Sequence, residues 1–409
     1  MEEKDVFDRA IDKLTDRRNK ILDGGVNCIP LTYPRLRAWL PGTEKRRYVV
    51  VTANQKVGKS KFVDYTYVYE TFFYYIENPQ KVRVLILYFT LEMGKQEKFY
   101  EFLCHLLYRL DNIRISPTDL KSTNAERPCP QEVLDLIKSE KYQFYIKEFK
   151  KMVRFIDDVR NPTGIYKYCR SFALERGKFH YKKGIRRDEL TGNPIEVDVV
   201  DYFEPDDEDL YMIVVLDNYS NLNLEMGLNK RDNIEKMSKY AIELRDTFDY
   251  NFIAIQHQAQ AQEGIENQKL DKLYPSSDGL ADCKTTTRDV NLVLGLYSPY
   301  KYGFKEHEKY DITKFKNNIR FLYVIEDRDN GAAGQICPLF FDGAVSAFSE
   351  LPLPTQTAEL ARVLGYIENV VRKKATSLFF TVSGKKNKLH RSKRFSTFAT
   401  LIKNIWQRF

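Results

Sequence analysis

From residue 48 onward the chain is punctuated by short apolar runs: YVVVTA (48–53), VRVLILYF (82–89), YMIVVLD (211–217), NFIAIQ (251–256), VNLVLGLY (290–297) and IRFLYVIED (319–327). They are rich in β-branched residues, and longer helical stretches separate them. Nearly continuous apolar strands alternating with helices predict an α/β fold, a mostly parallel central sheet covered by helices on both faces. Ahead of them, Val6, Phe7, Ala10, Ile11, Leu14 and Ile21 fall near helical spacing before Gly24 and Gly25, which predicts an amphipathic helix over residues 4–21. Between Asp111 and Leu210 the periodicity weakens, and an acidic run, EPDDEDL, closes the stretch. Helical decoration and a hairpin, inserted between two core strands, is the expectation there in preference to a separate folded domain. After Pro354 a helix-like segment, Ala358 to Val371, leads into a basic stretch.

The first strand runs directly into Ala53-Asn54-Gln55-Lys56-Val57-Gly58-Lys59-Ser60 and then into an apolar-periodic helix. This is the G-x-x-x-x-G-K-[ST] pattern of a phosphate-binding loop with Ala53 at the first glycine position. Backbone N–H groups of such a loop, together with the N-terminus of the following helix, point at phosphate oxygens, and Gly58 permits close approach of the backbone. Lys59 is then expected on the β and γ phosphates and Ser60 on Mg²⁺. The cofactors expected are therefore ATP and Mg²⁺.

Hydrolysis of a γ-phosphate also needs a metal-holding carboxylate and a group that orients the attacking water. YMIVVLD delivers Asp217 to the carboxyl end of a strand, where Mg²⁺ would sit beside Ser60. The second strand ends FTLEM and places Glu92 just past the sheet edge, as the candidate general base.

Composition narrows the setting. With 409 residues, 43% of them hydrophobic, the chain is long enough for one large core with appendages or for two ordinary domains. No run approaches the roughly 18–20 uninterrupted apolar residues of a membrane span, and MEEKDVFDRAIDKL lacks the apolar core of a signal peptide. A soluble, cytoplasmic protein is expected, in the host cytoplasm if the source is viral. The six cysteines and five histidines show neither C-x-x-C pairs nor ligand spacing, so any metal should come with the substrate. The net charge of +8 is concentrated: from Leu351 on, twelve Lys or Arg face two acids, a net of +10, leaving the body near −2. A neutral body with a basic end, 352–409, implies a polyanion partner, since Lys and Arg neutralise phosphates without reading sequence. Phe379, Phe380, Phe395, Phe398, Trp406 and Phe409 interleave with those cations, which suits base stacking and a small packed helical subdomain equally well.

Taken in order, these segments resemble the C-terminal RecA-fold motor of the DnaB-like replicative helicases. GGVNCIPLTYPRLRAWLPG (24–42) is similar to the family's opening segment, and FTLEM (89–93) to its F-S-L-E-M, with the catalytic glutamate at Glu92. VVLDNYSNL (214–222) resembles its metal-binding strand, and KRDNIEKMSKYAIELRDTFDYNFIAIQHQ (230–258) its helix and sensor strand. YPSSDGLADCKTTTRDVNLVLGLY (274–297) and EDRDNGAAGQICPLFFDGAVSAFSEL (326–351) are similar to its serine-aspartate-leucine stretch and its arginine-asparagine-glycine hairpin. The similarity spans about residues 24–351, interrupted by the 111–210 insertion, and leaves a linker-like helix before a core beginning near residue 23.

The resemblance implies an ATP-dependent 5′ to 3′ DNA helicase for replication: a homo-oligomeric ring, usually a hexamer, with ATP between subunits and single-stranded DNA through the centre. Arg328 would be the arginine finger, acting in trans on the neighbour's site. His257 or Gln258 would sense the γ-phosphate, in a sensor strand that reads Gln256-His257-Gln258 where the family has serine-glutamine. Lys230, Arg231 and Lys272 fall in the expected DNA-facing loops. Glu326 stands where the family often has a lysine, so the usual pair of trans cations is reduced or rearranged. Only about 22 residues precede the motor, so a primase or loader would be a separate polypeptide, and a minimal core of this kind suits a bacteriophage genome. Two other readings stand beside this one: a RecA-like recombination or repair ATPase that forms filaments, and a degenerate, non-catalytic motor serving as a DNA-binding structural or packaging subunit, motivated by Ala53, Glu326 and the altered sensor.

Overall fold

A computed structural model describes residues 6–187, 192–270 and 272–380. In chain order its main strands are β1 (Arg47–Ala53), β2 (Arg83–Thr90), β3 (Val153–Ile156), β4 (Gly177–Arg187), β5 (Pro194–Pro205), β6 (Leu210–Asp217), β7 (Asn251–His257), β8 (Leu292–Tyr297), β9 (Ile319–Asp327), β10 (Ile336–Asp342) and β11 (Ala347–Glu350). All but β4 and β5 join one nine-stranded sheet in the order β11-β10-β9-β8-β1-β7-β6-β2-β3. The six strands from β8 to β3 run parallel, and β9, β10 and β11 extend that sheet antiparallel. The α/β architecture expected from the apolar runs is the one observed.

The central strands β1, β2, β6, β7 and β8 are buried on both faces, which is why they read as nearly continuous apolar runs. Along β1, Val49, Val51 and Ala53 feed one core, and Tyr48 and Val50 the other. The first core is completed by the helix after the phosphate loop and by α4 (Lys95–Asp111). The second is completed by α7 (Pro162–Leu174) and α8 (Lys230–Phe248). The helix after the loop is not uniform: α2 (Lys59–Val63) passes through a π-helical stretch, Asp64–Tyr69, into α3 (Glu70–Glu77).

The insertion behaves differently from its expectation in one respect. Helices α5 (Gln131–Lys138) and α6 (Glu140–Met152) lead into β3, which pairs with β2 in register Ile86↔Val153 to Phe89↔Ile156. The segment therefore contributes an edge strand to the central sheet as well as decorating it. The expected hairpin is β4–β5, whose basic first strand pairs with an acidic second through Lys182–Asp201 and Lys183–Asp198. The N-terminal helix, α1 (Val6–Leu22), is tied to the body by Arg17–Glu44 and Lys20–Asp209, with Ile11 and Leu14 exposed. Beyond Leu351 lies a helix, Thr357–Phe380. The basic residues from Lys385 on, and the aromatics from Phe395 on, lie outside the described residues.

On α4, His105 is fully buried against the rings of Tyr65, Tyr69 and Phe73. Its Nδ1 donates to the Val345 carbonyl at 2.9 Å, and its Nε2 is buried without a partner. Burial pulls its pKa down to about 4. A base whose folded pKa lies below its unfolded value of about 6.5 is held neutral in the fold, so its share of stability is present above pH 6.5 and is lost as pH falls toward 4. Thermal melts across that window should show an acid loss on the order of 3 kcal/mol from this residue. His105→Phe, which cannot take up the proton, should lose less stability over the same pH range than the wild-type protein.

Candidate active site

The carboxyl ends of β1, β7, β6 and β2 lie side by side, and the loop after β1 crosses them. Gly58 caps α2 with φ +105°, in the left-handed region, and an added Cβ would stand 3.3 Å from the Phe341 ring. Lys56 is also left-handed, at φ +60°. These two reversals fold the loop over the strand end, so that Lys59 Nζ donates to the Ala53 and Asn54 carbonyls, both at 3.2 Å. Ala53 is buried, in register with His257 and Leu296 of the flanking strands. Asn54 Nδ2 donates to Tyr302 Oη at 2.7 Å, and Lys301 Nζ to the Gln55 carbonyl at 3.1 Å. Glu263 accepts from both Lys301 and Tyr302, which joins the segment after β7 to the phosphate loop.

Ser60 Oγ donates to Asp217 Oδ1 at 3.0 Å, so the two residues expected to hold a metal are already adjacent. Among the described residues, no group of three or more His, Cys, Asp or Glu could hold a metal ion unaided. A hydroxyl and one carboxylate fit Mg²⁺ that takes its remaining ligands from phosphate and water. Glu92 is exposed beyond β2, and its Oε2 accepts from Asn218 Nδ2 at 2.8 Å, which sets it beside Asp217. Burial draws the Lys59 ammonium down to about 8, against the opposing pull of Glu92 and Asp217. That pattern places both carboxylates within electrostatic reach of Lys59.

The end of β7 separates three successive polar residues. Gln256 is buried, donating to the Ala281 and Cys283 carbonyls and accepting from Thr286. Gln258 is buried as well; its amide donates to Thr52 Oγ1 and the Ser276 carbonyl, both at 3.0 Å, and accepts from the Ser276 N–H. His257 differs, for its Nδ1 has no partner, and burial, then Lys59, draw its pKa to about 4. It is therefore a neutral imidazole near Lys59 and Asp217.

Arg328 follows β9, whose end pairs with the start of β8 in register Leu292↔Asp327. The phosphate loop leaves from the other end of the same sheet, so Arg328 stands roughly 15 Å away along the strand direction. Its guanidinium donates to the Thr287 and Arg288 carbonyls at the surface. Glu326 accepts from Ser277 Oγ. Lys230 opens α8 and pairs with Asp282 at 3.0 Å, and Arg231 and Lys272 are exposed.

Sequence reasoning missed a buried ionic group beneath the loop. Lys98, on the first turn of α4, reaches Asp64 at 2.9 Å, Asp217 at 3.2 Å and Glu101 at 3.9 Å. Burial works against its charge, but Asp64, Asp217 and Glu101 outweigh it and hold the ammonium above the usual lysine range. Nothing in KQEKFYEF distinguishes that lysine from a solvated one.

No family model and no curated protein matches the sequence. Solved structures do. One, the ATPase domain of a phage helicase, is similar at a TM-score of 0.59 and 16% identity, covering 86% of this chain and 100% of that one. A second, a DnaB-like replicative helicase whose structure is described with its interactions with primase, is similar at 0.56 and 18%, covering 85% of this chain and 67% of that one. At such identities the likeness is one of fold, and the fold is the RecA-like ATPase fold of DnaB-like helicases.

The two neighbours at the end of β7, His257 and Gln258, should part in stability. Gln258→Ala strands buried groups of Thr52 and Ser276 and is expected to cost about 1–3 kcal/mol in urea unfolding. His257→Ala removes no hydrogen bond from its unpartnered Nδ1 and should cost clearly less. Equal losses in the two variants would refute this division of labour.

Proposed function

We propose that this chain is an ATP-hydrolysing DNA helicase motor that works as a ring-forming homo-oligomer, a hexamer by analogy with the family it resembles, and translocates on single-stranded DNA during replication. The observation that carries the reading is the convergence of Lys59, Ser60, Asp217 and Glu92 on the carboxyl edge of the parallel sheet, with Arg328 on the opposite edge.

On this reading the loop N–H groups and Lys59 bind the β and γ phosphates, Lys59 exchanging its contacts with the Ala53 and Asn54 carbonyls for phosphate oxygens. Ser60 and Asp217 hold Mg²⁺, which when bound neutralises phosphate charge and orients the phosphates. Glu92 keeps one carboxylate oxygen on Asn218 and offers the other to a water, accepting its proton as that water attacks the γ-phosphorus and the bond to the β,γ-bridging oxygen breaks, with ADP as the leaving group. His257, a neutral imidazole whose Nδ1 has no partner in the fold, donates an N–H to a γ-phosphate oxygen; Gln258 holds the strand that carries it. Arg328 cannot reach its own chain's phosphates across the sheet, so it serves a neighbouring subunit as a planar, permanently charged finger.

Lys230, Arg231 and Lys272 border the loops after β6 and β7 and contact the DNA backbone, aided by the basic 352–409 extension. Bacteriophage-type replication in a host cytoplasm fits the reading. So does a separate primase or loader, in line with the structural neighbour described with primase. No helix among the described residues is long and apolar enough to cross a membrane.

The test is ATP turnover by the purified protein with and without single-stranded DNA. Turnover should rise with DNA. Glu92→Gln should lower it by about 10²- to 10⁴-fold, the usual worth of a general base. Lys59→Ala and Arg328→Ala should each abolish it, and an equimolar mixture of the two inactive proteins should recover part, because one interface in the mixture pairs an intact loop with an intact finger. Turnover indifferent to Glu92→Gln, or absent from the wild-type protein with every nucleic acid, would overturn the motor reading.

A further inference from the structure

Asp217 ends a central strand with its side chain 1% exposed, and its two oxygens face different partners. Oδ1 accepts from Ser60 Oγ at 3.0 Å, on the side of the phosphate loop. Oδ2 meets Lys98 Nζ and Tyr88 Oη, each at 3.2 Å, on the side of the core. Lys98 comes from a different element, the first turn of α4, four residues after Gly94, and is itself 1% exposed. Its ammonium also meets Asp64 at 2.9 Å and stands 3.9 Å from Glu101, while Tyr88 Oη lies 2.7 Å from Asp64 Oδ1. Lys61 closes the group from the loop helix through Glu101 at 2.9 Å.

Packing alone does not account for this arrangement. Withdrawing an ammonium and two or three carboxylates from water costs several kcal/mol per ion, and apolar side chains of similar volume often fill such a space at no loss of stability. What the ionic group supplies, and apolar residues would not, is direction. With Oδ2 held by the Lys98 ammonium, beside a Tyr88 hydroxyl whose one proton it shares with the nearer Asp64 Oδ1, the carboxylate has one orientation, and the oxygen left toward the loop is the one beside Ser60. Partners behind a metal ligand act in this way, by setting which lone pairs the ligand presents.

We infer that Lys98 is a positioning residue that orients the Asp217 carboxylate for the nucleotide's divalent metal, acting from behind the site through Oδ2, with Asp64 and Tyr88 as its supports. The inference rests on the proposed role of Asp217 as the metal-holding carboxylate. Lys98 touches neither nucleotide nor metal on this account, so its removal should uncouple metal from nucleotide and leave the phosphate loop's own grip intact.

The experiment uses the full chain and follows binding of the fluorescent nucleotide mant-ADP, in excess EDTA and in a titration with MgCl₂. Wild-type protein should bind more tightly as Mg²⁺ is added. Lys98→Met should lose about ten- to a hundredfold of that metal-linked gain, the usual worth of an outer-shell partner, at unchanged affinity in EDTA. The double variant Asp64→Asn/Lys98→Met removes one acid together with one base, so the group keeps its net charge; it should show the same loss, and it decides the question if the single variant does not fold. Lys98→Arg should retain part of the gain, since a cation still faces Oδ2. A full Mg²⁺ gain in the double variant would overturn the inference. A loss of mant-ADP binding in EDTA as well would overturn it too, by showing that Lys98 merely holds the fold. Wild-type binding indifferent to Mg²⁺ would instead bring down the assignment of Asp217 itself, and the inference with it.

Discussion

A carboxylate carried to the end of a buried strand has to be compensated where it stands, and the region beneath the phosphate loop is organised by that need. Asp217 is reached by Ser60 from α2, by Lys98 from α4 and by Tyr88 from β2. Each contact fixes one element against β6: the loop helix above it, the helix after Glu92 beside it, and the neighbouring strand. Asp64 recruits the π-helical stretch to the same cation. The adjacency of Ser60 and Asp217, on which the proposed chemistry depends, is thus enforced from several directions. An isolated buried charge would be costly, and a satisfied group of them specifies one arrangement of the elements that supply it.

The sheet was legible because strands covered on both faces must be apolar at every position. The six runs from YVVVTA to IRFLYVIED emerge as strands within a residue or two of their predicted limits. β3 was not legible. Its four residues, VRFI, are too few to form a pattern, and Arg154 interrupts them; an edge strand needs apolar contacts only where its neighbour covers it. The π-helical stretch was equally hidden, since DYTYVY is compatible with any helix.

Charged residues mark the limit of such reading more sharply. Glu92 and Asp217 were visible because each follows a strand, a position with a geometric meaning. Lys98 and Glu101 sit three apart on a helix, the spacing of an ordinary surface ion pair. Only contacts distant in sequence, with Asp64, Tyr88 and Asp217, turn Lys98 inward. The end of β7 makes the same point: Gln256, His257 and Gln258 are indistinguishable as a tripeptide, and alternation along the strand together with the 276–286 segment consumes both glutamines and leaves the imidazole nitrogen unpartnered. Structural similarity persists at 16–18% identity for a related reason, because burial constrains residue class more than residue identity.

On the proposed reading, the position of Arg328 bears on how the chain must assemble. The loop after β1 and Asp217 both occupy the carboxyl edge of the parallel strands, and β9, running antiparallel beside β8, returns the chain to the amino edge before it turns. An arginine at that turn is separated from its own loop by the length of the strands, whatever its rotamer. If it acts on a γ-phosphate, it acts on another subunit's, and the contact joins the amino edge of one sheet to the carboxyl edge of the next. Such an interface is heterologous: repeated, it closes into a ring if the rotation divides the circle and otherwise winds into a filament. On the proposed reading, the antiparallel direction of one strand therefore carries the requirement for oligomerisation, and the rotation at the interface, set elsewhere in the chain, carries the choice between ring and filament.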